Sequence, residues 1–218
     1  MSRVARVGLL VALAAWALVG VAIWRLWPVI GQLTDPSRPR TFYIPSQSMM
    51  PTLELQDRVR PRVAREGELR RGTVVAFQGA ESARVDRVVG LPGDTVMLRG
   101  GRVSVNGQAA SYCDGGPGPK LEGDPSRLIY ERLSGETHWH GTLDSGASEG
   151  DDYGPVRVPP GRLFVLGDAR DRSADSRYPL DVQGVGMVPV SAVIGIIDRL
   201  LWARGFRALG RSIDSVVP

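Results

Sequence analysis

The sequence predicts a mostly β protein, in which an N-terminal transmembrane helix is followed by a β-rich body carrying a smaller inserted β subdomain. Three observations predict it. A run of eighteen residues from Val7 to Trp24 carries no charge, short β-branched runs recur between glycine- and proline-containing turns, and helical periodicity is nearly absent outside the apolar run and the last few residues.

The apolar run, VGLLVALAAWALVGVAIW, is preceded by Arg3 and Arg6 and closed by Arg25, with Trp24 and Trp27 beside it. That length crosses a bilayer core as a helix, and tryptophan rings suit its interface. A cleaved signal peptide would have a shorter apolar core with a small-x-small site behind it, whereas ALAAWA lies in the middle of the run. Residues 7–27 are thus expected to be a retained anchor, preceded by a short N-terminus at 1–6. Arg3 and Arg6 balance Arg25, Arg38 and Arg40, so charge leaves the orientation open. Residues 28–40, with GQLTDPSRPR at their end, read as a polar juxtamembrane linker.

The body follows as strands: TVVAF at Thr73–Phe77, RVDRVV at Arg84–Val89, TVML at Thr95–Leu98, RVSV at Arg102–Val105, LIYERL at Leu128–Leu133, RLFVLG at Arg162–Gly167 and VIGII at Val193–Ile197. GLPGD at Gly90–Asp94 suits a tight turn with Pro92 second and Gly93 third, and RGGR and VNGQ punctuate the next strands. Ser111–Ser126 and Ser134–Gly154, rich in Gly, Pro, Ser and Asp, read as surface loops of an inserted subdomain or flexible cap. The expected order is core residues 41–106, an insertion at 107–155, core residues 156–202 and a tail at 203–218. That tail reads as a frayed end beyond Gly205, the alternative being a short amphipathic helix on the membrane.

With 218 residues, 43% of them hydrophobic, the chain can bury one good-sized core. Its 27 basic and 23 acidic residues leave a charge of +4, which suits work beside anionic lipid headgroups. There is no basic run, aromatic stacking pattern or zinc-finger spacing, so nucleic-acid binding is not expected. One cysteine, Cys113, and two histidines, His138 and His140, do not make a metal site, and no cofactor is expected. They read as a loop cysteine and strand histidines. Lys120 is the one lysine in the chain.

Three segments carry more chemistry than folding requires: PSQSMMPTL at Pro45–Leu53, DRVVGLPGD at Asp86–Asp94 and GDARDRSADSR at Gly167–Arg177. Taken singly, they are ordinary turn and ion-pair sequences. In this order they resemble the boxes of the type I signal peptidase family, membrane-anchored serine peptidases that remove signal peptides from exported proteins. The resemblance covers the anchor and nearly all of the body. It implies a β-rich catalytic core with a smaller β insertion, and it puts the N-terminus in the cytoplasm and the catalytic domain outside, against the cell membrane. It also implies Ser48 as the nucleophile, with Ser46 and the Ser48 amide stabilising the oxyanion. Ser173 would orient the general base, while Asp175, Arg177 and Arg87 would hold the site together. Shallow apolar pockets lined by Phe42, Ile44, Met49, Leu53 and Val85 would select small side chains in the substrate, although each of these also reads as a core residue. Met49, Met50, Leu53 and the tryptophans near residue 25 suggest an apolar surface dipping into the outer leaflet. The implied partners are signal peptides of preproteins, the lipid bilayer and the export machinery.

The position of the base departs from the family. Where its bacterial members have the base lysine, this chain has Asp86, and Lys120 lies outside the box. If Arg84–Val89 is extended, Arg84, Asp86 and Val88 share one face, and Asp86 projects towards Ser48 on a shorter side chain. A carboxylate with an ordinary pKa of about 3.9 is a weak base for a serine hydroxyl, but burial would raise it and a water would bridge the gap. Three readings follow: a peptidase using Asp86 as base, a signal-peptide-binding pseudopeptidase, or a substituted position in an ordinary enzyme. A specialised peptidase maturing conjugation or pilus proteins is a further variant. Ala169 and Arg172 also stand where the family commonly has asparagine, so Arg170, Asp171 and Arg172 are expected to trade polar contacts.

Overall fold

The computed structural model describes Trp16, residues 19–21 and 23–26, and residues 41–202. The chain divides into two compact units, Met1–Arg38 and Pro39–Pro218. In the first, the described residues are helical and exposed. Most of the expected anchor at 7–27, with residues 1–6, the linker at 28–40 and the tail at 203–218, lies outside the described residues. Among the described residues no helix is long and apolar enough to cross a membrane.

The second unit is built of antiparallel sheets. The central one has five strands in the order Val188–Pro189, Arg162–Leu166, Ala83–Gly90, Val74–Gln78 and Val193–Ile196. Its middle strands are apolar on both sides, as burial on two faces requires. Val74 and Ala76 pack into one cluster with Ile44, Met49, Leu53, Val59, Ile197 and Leu200, whereas Val75 and Phe77 pack into another with Val88, Leu163 and Val165. Each such side chain contributes about 1.5–3 kcal/mol on burial.

A second sheet runs Tyr153–Arg157, Thr95–Arg99, Arg102–Val105, Gln108–Ala109. Both of its hairpins close with two-residue loops: Gly100-Gly101 between paired Arg99 and Arg102, and Asn106-Gly107 between paired Val105 and Gln108. All four loop residues have positive φ, between 51° and 76°, the mirror-image turn whose twist matches the strands. The Leu91–Asp94 turn closes as its sequence implies: Gly93 takes φ 90° and the Asp94 amide donates to the Leu91 carbonyl at 2.9 Å.

The two stretches expected as loops supply the outer strands of a third sheet around the expected strand at Leu128–Leu133, with order His140–Asp144, Arg127–Arg132, Ser111–Pro117, so Cys113 lies in a strand. Hydropathy hides the two outer strands because Ser111–Pro117 has no fully buried residue and His140–Asp144 buries polar His140 and Thr142. Glu131, His140 and Thr142 are buried there and find polar partners instead of apolar ones. A last small sheet joins Phe42–Tyr43, Arg58–Val59 and Leu200–Trp202, so the residues after Arg199 begin as a strand and not as a helix.

Candidate active site

The segment after Phe42–Tyr43 folds back on itself through paired amides. The Ile44 N–H donates to the Asp57 carbonyl and the Gln56 N–H to the Ile44 carbonyl, both at 2.9 Å, and the Leu53 N–H reaches the Met49 carbonyl at 2.8 Å. Met49 (1% exposed) and Leu53 (0%) plug this loop into the core. They are therefore closed to lipid, which corrects the expectation that they form a surface dipping into the leaflet. Met50 packs against a separate cluster containing Leu121, Leu143 and Ala169. All five residues expected to line the substrate pocket gather in one place: Phe42 and Val85 are partly buried against the cluster that contains Ile44, Met49 and Leu53.

Held this way, the loop presents Ser46 and Ser48 with their hydroxyl oxygens 3.0 Å apart at the surface. The Ser48 carbonyl accepts the Ala169 N–H at 2.9 Å, tying the loop to the strand end that follows Leu166. Gly167 makes this approach possible, since a Cβ there would lie 2.2 Å from the Ser173 hydroxyl oxygen and 2.7 Å from the Ser48 carbonyl. Ser173 and the Ser48 backbone are thus neighbours across a residue that has no side chain.

The central sheet supplies the third part. Asp86 pairs with Val75, and Leu166 pairs with Arg87. Alternation puts Asp86 on the face that Val75 and Val88 share, and one residue beyond Leu166 it puts the missing Cβ of Gly167 on that face too. Arg84 extends along the same face to the carbonyls of Ala174 and Gln183, at 3.3 and 3.4 Å. Val85 and Arg87 point the other way, into the Met49 cluster and to Asp168. Asp86 is 4% exposed, and its Oδ2 atom has no hydrogen-bond partner among the described residues. Burial first, then the Asp175 and Asp168 carboxylates, push its carboxyl well above the usual range, against the opposing charges of Arg84 and Arg177.

On both faces of the sheet the charges are paired tightly. Arg87 donates to both oxygens of Asp168, at 2.8 and 2.7 Å, and to the Gly72 carbonyl at 2.6 Å, while Thr52 donates to Asp168 at 2.5 Å. Asp175 accepts two bonds from the Arg177 guanidinium, each at 2.9 Å, and the Gly167 N–H at 3.1 Å. Bidentate pairs of this kind fix geometry as well as charge. Thr52 and Asp168 were not singled out from the sequence, although both lie inside the two boxes. The arginines and aspartate of Arg170–Arg172 do not contact one another as expected. Arg170 binds Glu131, Asp171 accepts the Ser145 N–H at 2.7 Å and Arg172 pairs with Asp124, all partners between residues 107 and 155.

The family model described as signal peptidase, peptidase S26, matches residues 13–202. The chain belongs to the signal peptidase family. Among its relatives, signal peptidase I S of Bacillus subtilis is 31% identical over 156 residues, covering 71% of this chain and 72% of that protein. Signal peptidase I of Leptolyngbya laminosa is 32% identical over 165 residues, 70% of this chain and 64% of its own. A crystal structure of a signal peptidase I from Enterococcus faecalis covers 62% of this chain and 98% of that one, at 27% identity and a TM-score of 0.36.

Proposed function

We propose that this chain is a membrane-anchored serine endopeptidase that removes N-terminal signal peptides from exported preproteins, with Ser48 as nucleophile and Asp86 as an unusual general base. The observation that carries this reading is the buried Asp86 oxygen with no hydrogen-bond partner among the described residues, on the sheet face where Ser173 and the Ser48 backbone meet. A carboxylate in water is too weak a base to take a proton from a serine hydroxyl; one whose pKa is raised by burial and by Asp175 is better matched to the task. Ser48 Oγ attacks the scissile carbonyl and its proton passes, directly or through one water, to Asp86. The Ser46 hydroxyl, beside Ser48, and the Ser48 N–H stabilise the oxyanion. The leaving amine then takes the proton from Asp86, and a water hydrolyses the ester by the same route.

Ser173 is the orienting group in this reading, with Asp175, Arg177 and Arg87 holding the loops that carry it. Phe42 and Val85 are the residues of the apolar cluster with surface left to meet a small substrate side chain. The catalytic unit works at the outer face of the cell membrane, where signal peptides still in the bilayer, and the export machinery that delivers them, are its partners.

A second reading is favoured by the same burial. A carboxyl raised far enough keeps its proton at neutral pH, leaving a groove that binds signal peptides without cutting them. The intact chain in detergent or lipid, given a signal-peptide substrate, separates the two. The proposed peptidase cleaves, Ser48→Ala abolishes cleavage, Asp86→Asn lowers it by about 10²–10⁴ and Asp86→Lys raises it above the parent. An inactive parent with an active Asp86→Lys establishes the binding protein instead.

A further inference from the structure

Away from Ser48, the body holds a second concentration of buried charge. Glu131 (0% exposed) and His140 (1%) face each other across the pair Arg127–Arg132 and His140–Asp144. Arg170, from the 3-10 turn Arg170–Arg172, donates to Glu131 through both terminal nitrogens, at 3.0 and 2.5 Å. His140 has a carboxylate on each side: Nδ1 lies 2.9 Å from Glu136 Oε1, and Nε2 lies 3.2 Å from Glu131 Oε1. Glu136 is nearly buried, and its other oxygen accepts the Leu133 N–H at 2.9 Å.

This geometry states what His140 must be. A neutral imidazole carries one N–H and would turn a bare lone pair towards the other carboxylate, whereas the imidazolium donates from both nitrogens. Charge requires the same, because two carboxylates against one guanidinium leave a buried negative charge that the imidazolium cancels. The other groups facing the network are Arg87, from the central sheet, the Tyr112 phenol beside Glu131, and the Asp168 carboxylate, which acts on Arg170. Burial and the Arg87 charge pull the His140 pKa down, but its bonds to Glu131 and Glu136 outweigh them and raise it.

The network reaches the catalytic loops along two routes. The Arg170 carbonyl accepts a bond from Arg177, which grips Asp175, which in turn holds the Gly167 amide against Ser173 and Ser48. The strand that begins with His140 is also stitched to the same loop, since the Leu143 N–H donates to the Asp168 carbonyl at 2.8 Å.

We propose that His140 is a positioning residue: as an imidazolium it clamps Glu131 and Glu136, and through Arg170 it holds the Gly167–Arg177 loop against the Ser48 loop. Loss of its proton leaves one carboxylate facing a lone pair, and the loop loosens. In its cleavage arm the proposal rests on the peptidase reading; in its loop arm it does not.

The test uses the full chain in detergent or lipid, as parent, His140→Gln and the double variant His140→Gln/Glu136→Gln, in which Glu131 and Arg170 alone balance. Amide exchange of residues 167–177 is followed by mass spectrometry across pH, the His140 ring by NMR, and kcat and KM with a signal-peptide substrate. In the parent, loop protection and kcat should fall together as the ring loses its proton. In His140→Gln the loop should exchange about tenfold faster, with kcat lowered by up to about 100-fold and KM little changed. The double variant should recover protection and lose the alkaline fall. Unchanged loop exchange in His140→Gln, or a ring already neutral where the loop is tight, overturns the proposal. If His140→Gln fails to fold, the pH series on the parent and the double variant decide by the same criteria. A chain whose loop responds as expected but which cuts nothing keeps the clamp and loses the peptidase reading. One that cuts while the loop ignores His140 does the reverse.

Discussion

Asp86 concentrates the conflict between stability and chemistry in one carboxyl group. Its pKa is raised in the folded chain, so the folded state favours the protonated form. The stability tied to that form is complete below the ordinary value of 3.8 and is lost as pH rises through the folded value. Asp86→Asn never ionises and should be more stable than the parent at pH 8 by about 1–3 kcal/mol, with the gap closing towards pH 4. Thermal unfolding of the two chains, followed by near-UV circular dichroism at both pH values, measures this. A variant that gains stability while losing cleavage marks Asp86 as a functional residue held at a structural cost. Equal stability at pH 8 would mean that the parent keeps this proton at neutral pH, as the binding reading requires. The substitution for lysine was legible from the box alone, whereas the missing partner of its Oδ2 was not, since that depends on what the sheet face brings beside it.

Between strands and loops, the decisive contact is backbone to backbone. Gly167 lets the Ser48 loop and the Ser173 turn close on the end of the strand Arg162–Leu166. A methyl group there would overlap Ser173 and the Ser48 carbonyl. Gly167→Ala should cost about 1–3 kcal/mol and lower kcat more than it raises KM, because the apolar cluster beneath the loop is untouched. Urea unfolding with steady-state kinetics on one preparation checks both; parent-like kcat would remove Gly167 from the site's geometry. Six strands of the central and second sheets are readable in the sequence within a residue or so, because alternation, Pro-Gly and Asn-Gly turns are local signals, whereas Gln108–Ala109, Tyr153–Arg157 and Val188–Pro189 are not. His140–Asp144 does not show as a strand because its buried His140 and Thr142 are polar, and Ser111–Pro117, none of whose residues is fully buried, has no apolar face to alternate.

Across the body, the charge networks set opposite limits on stability. The Glu131 carboxyl is opposed by burial but held well below its ordinary 4.5 by Arg170 and His140, so its contribution is present above that value and is lost as pH falls. His140 is raised above 6.5, so its contribution is present below that value and is lost as pH rises through the folded value. The melting temperature of the intact chain should therefore peak between these limits, with an acid arm from Glu131 and an alkaline arm shared by His140 and Asp86. Thermal scans from pH 3 to 10 test it, and His140→Gln should flatten the alkaline arm. A parent profile flat above pH 6 would contradict the assignment.

The amino-acid sequence alone determined the mostly β class, the order of the three boxes and the turns between the best strands, because hydrophobic alternation and turn chemistry act over a few neighbouring residues. It also marked Ser48, Asp86 and Ser173 as the residues to watch. Tertiary structure decided which charges meet. Arg170 finds Glu131, Arg87 finds Asp168 and His140 sits between two glutamates, pairings that span up to 81 positions of chain. No local pattern encodes such a partner, since a buried ion pair depends on the fold that brings both charges out of water to the same place.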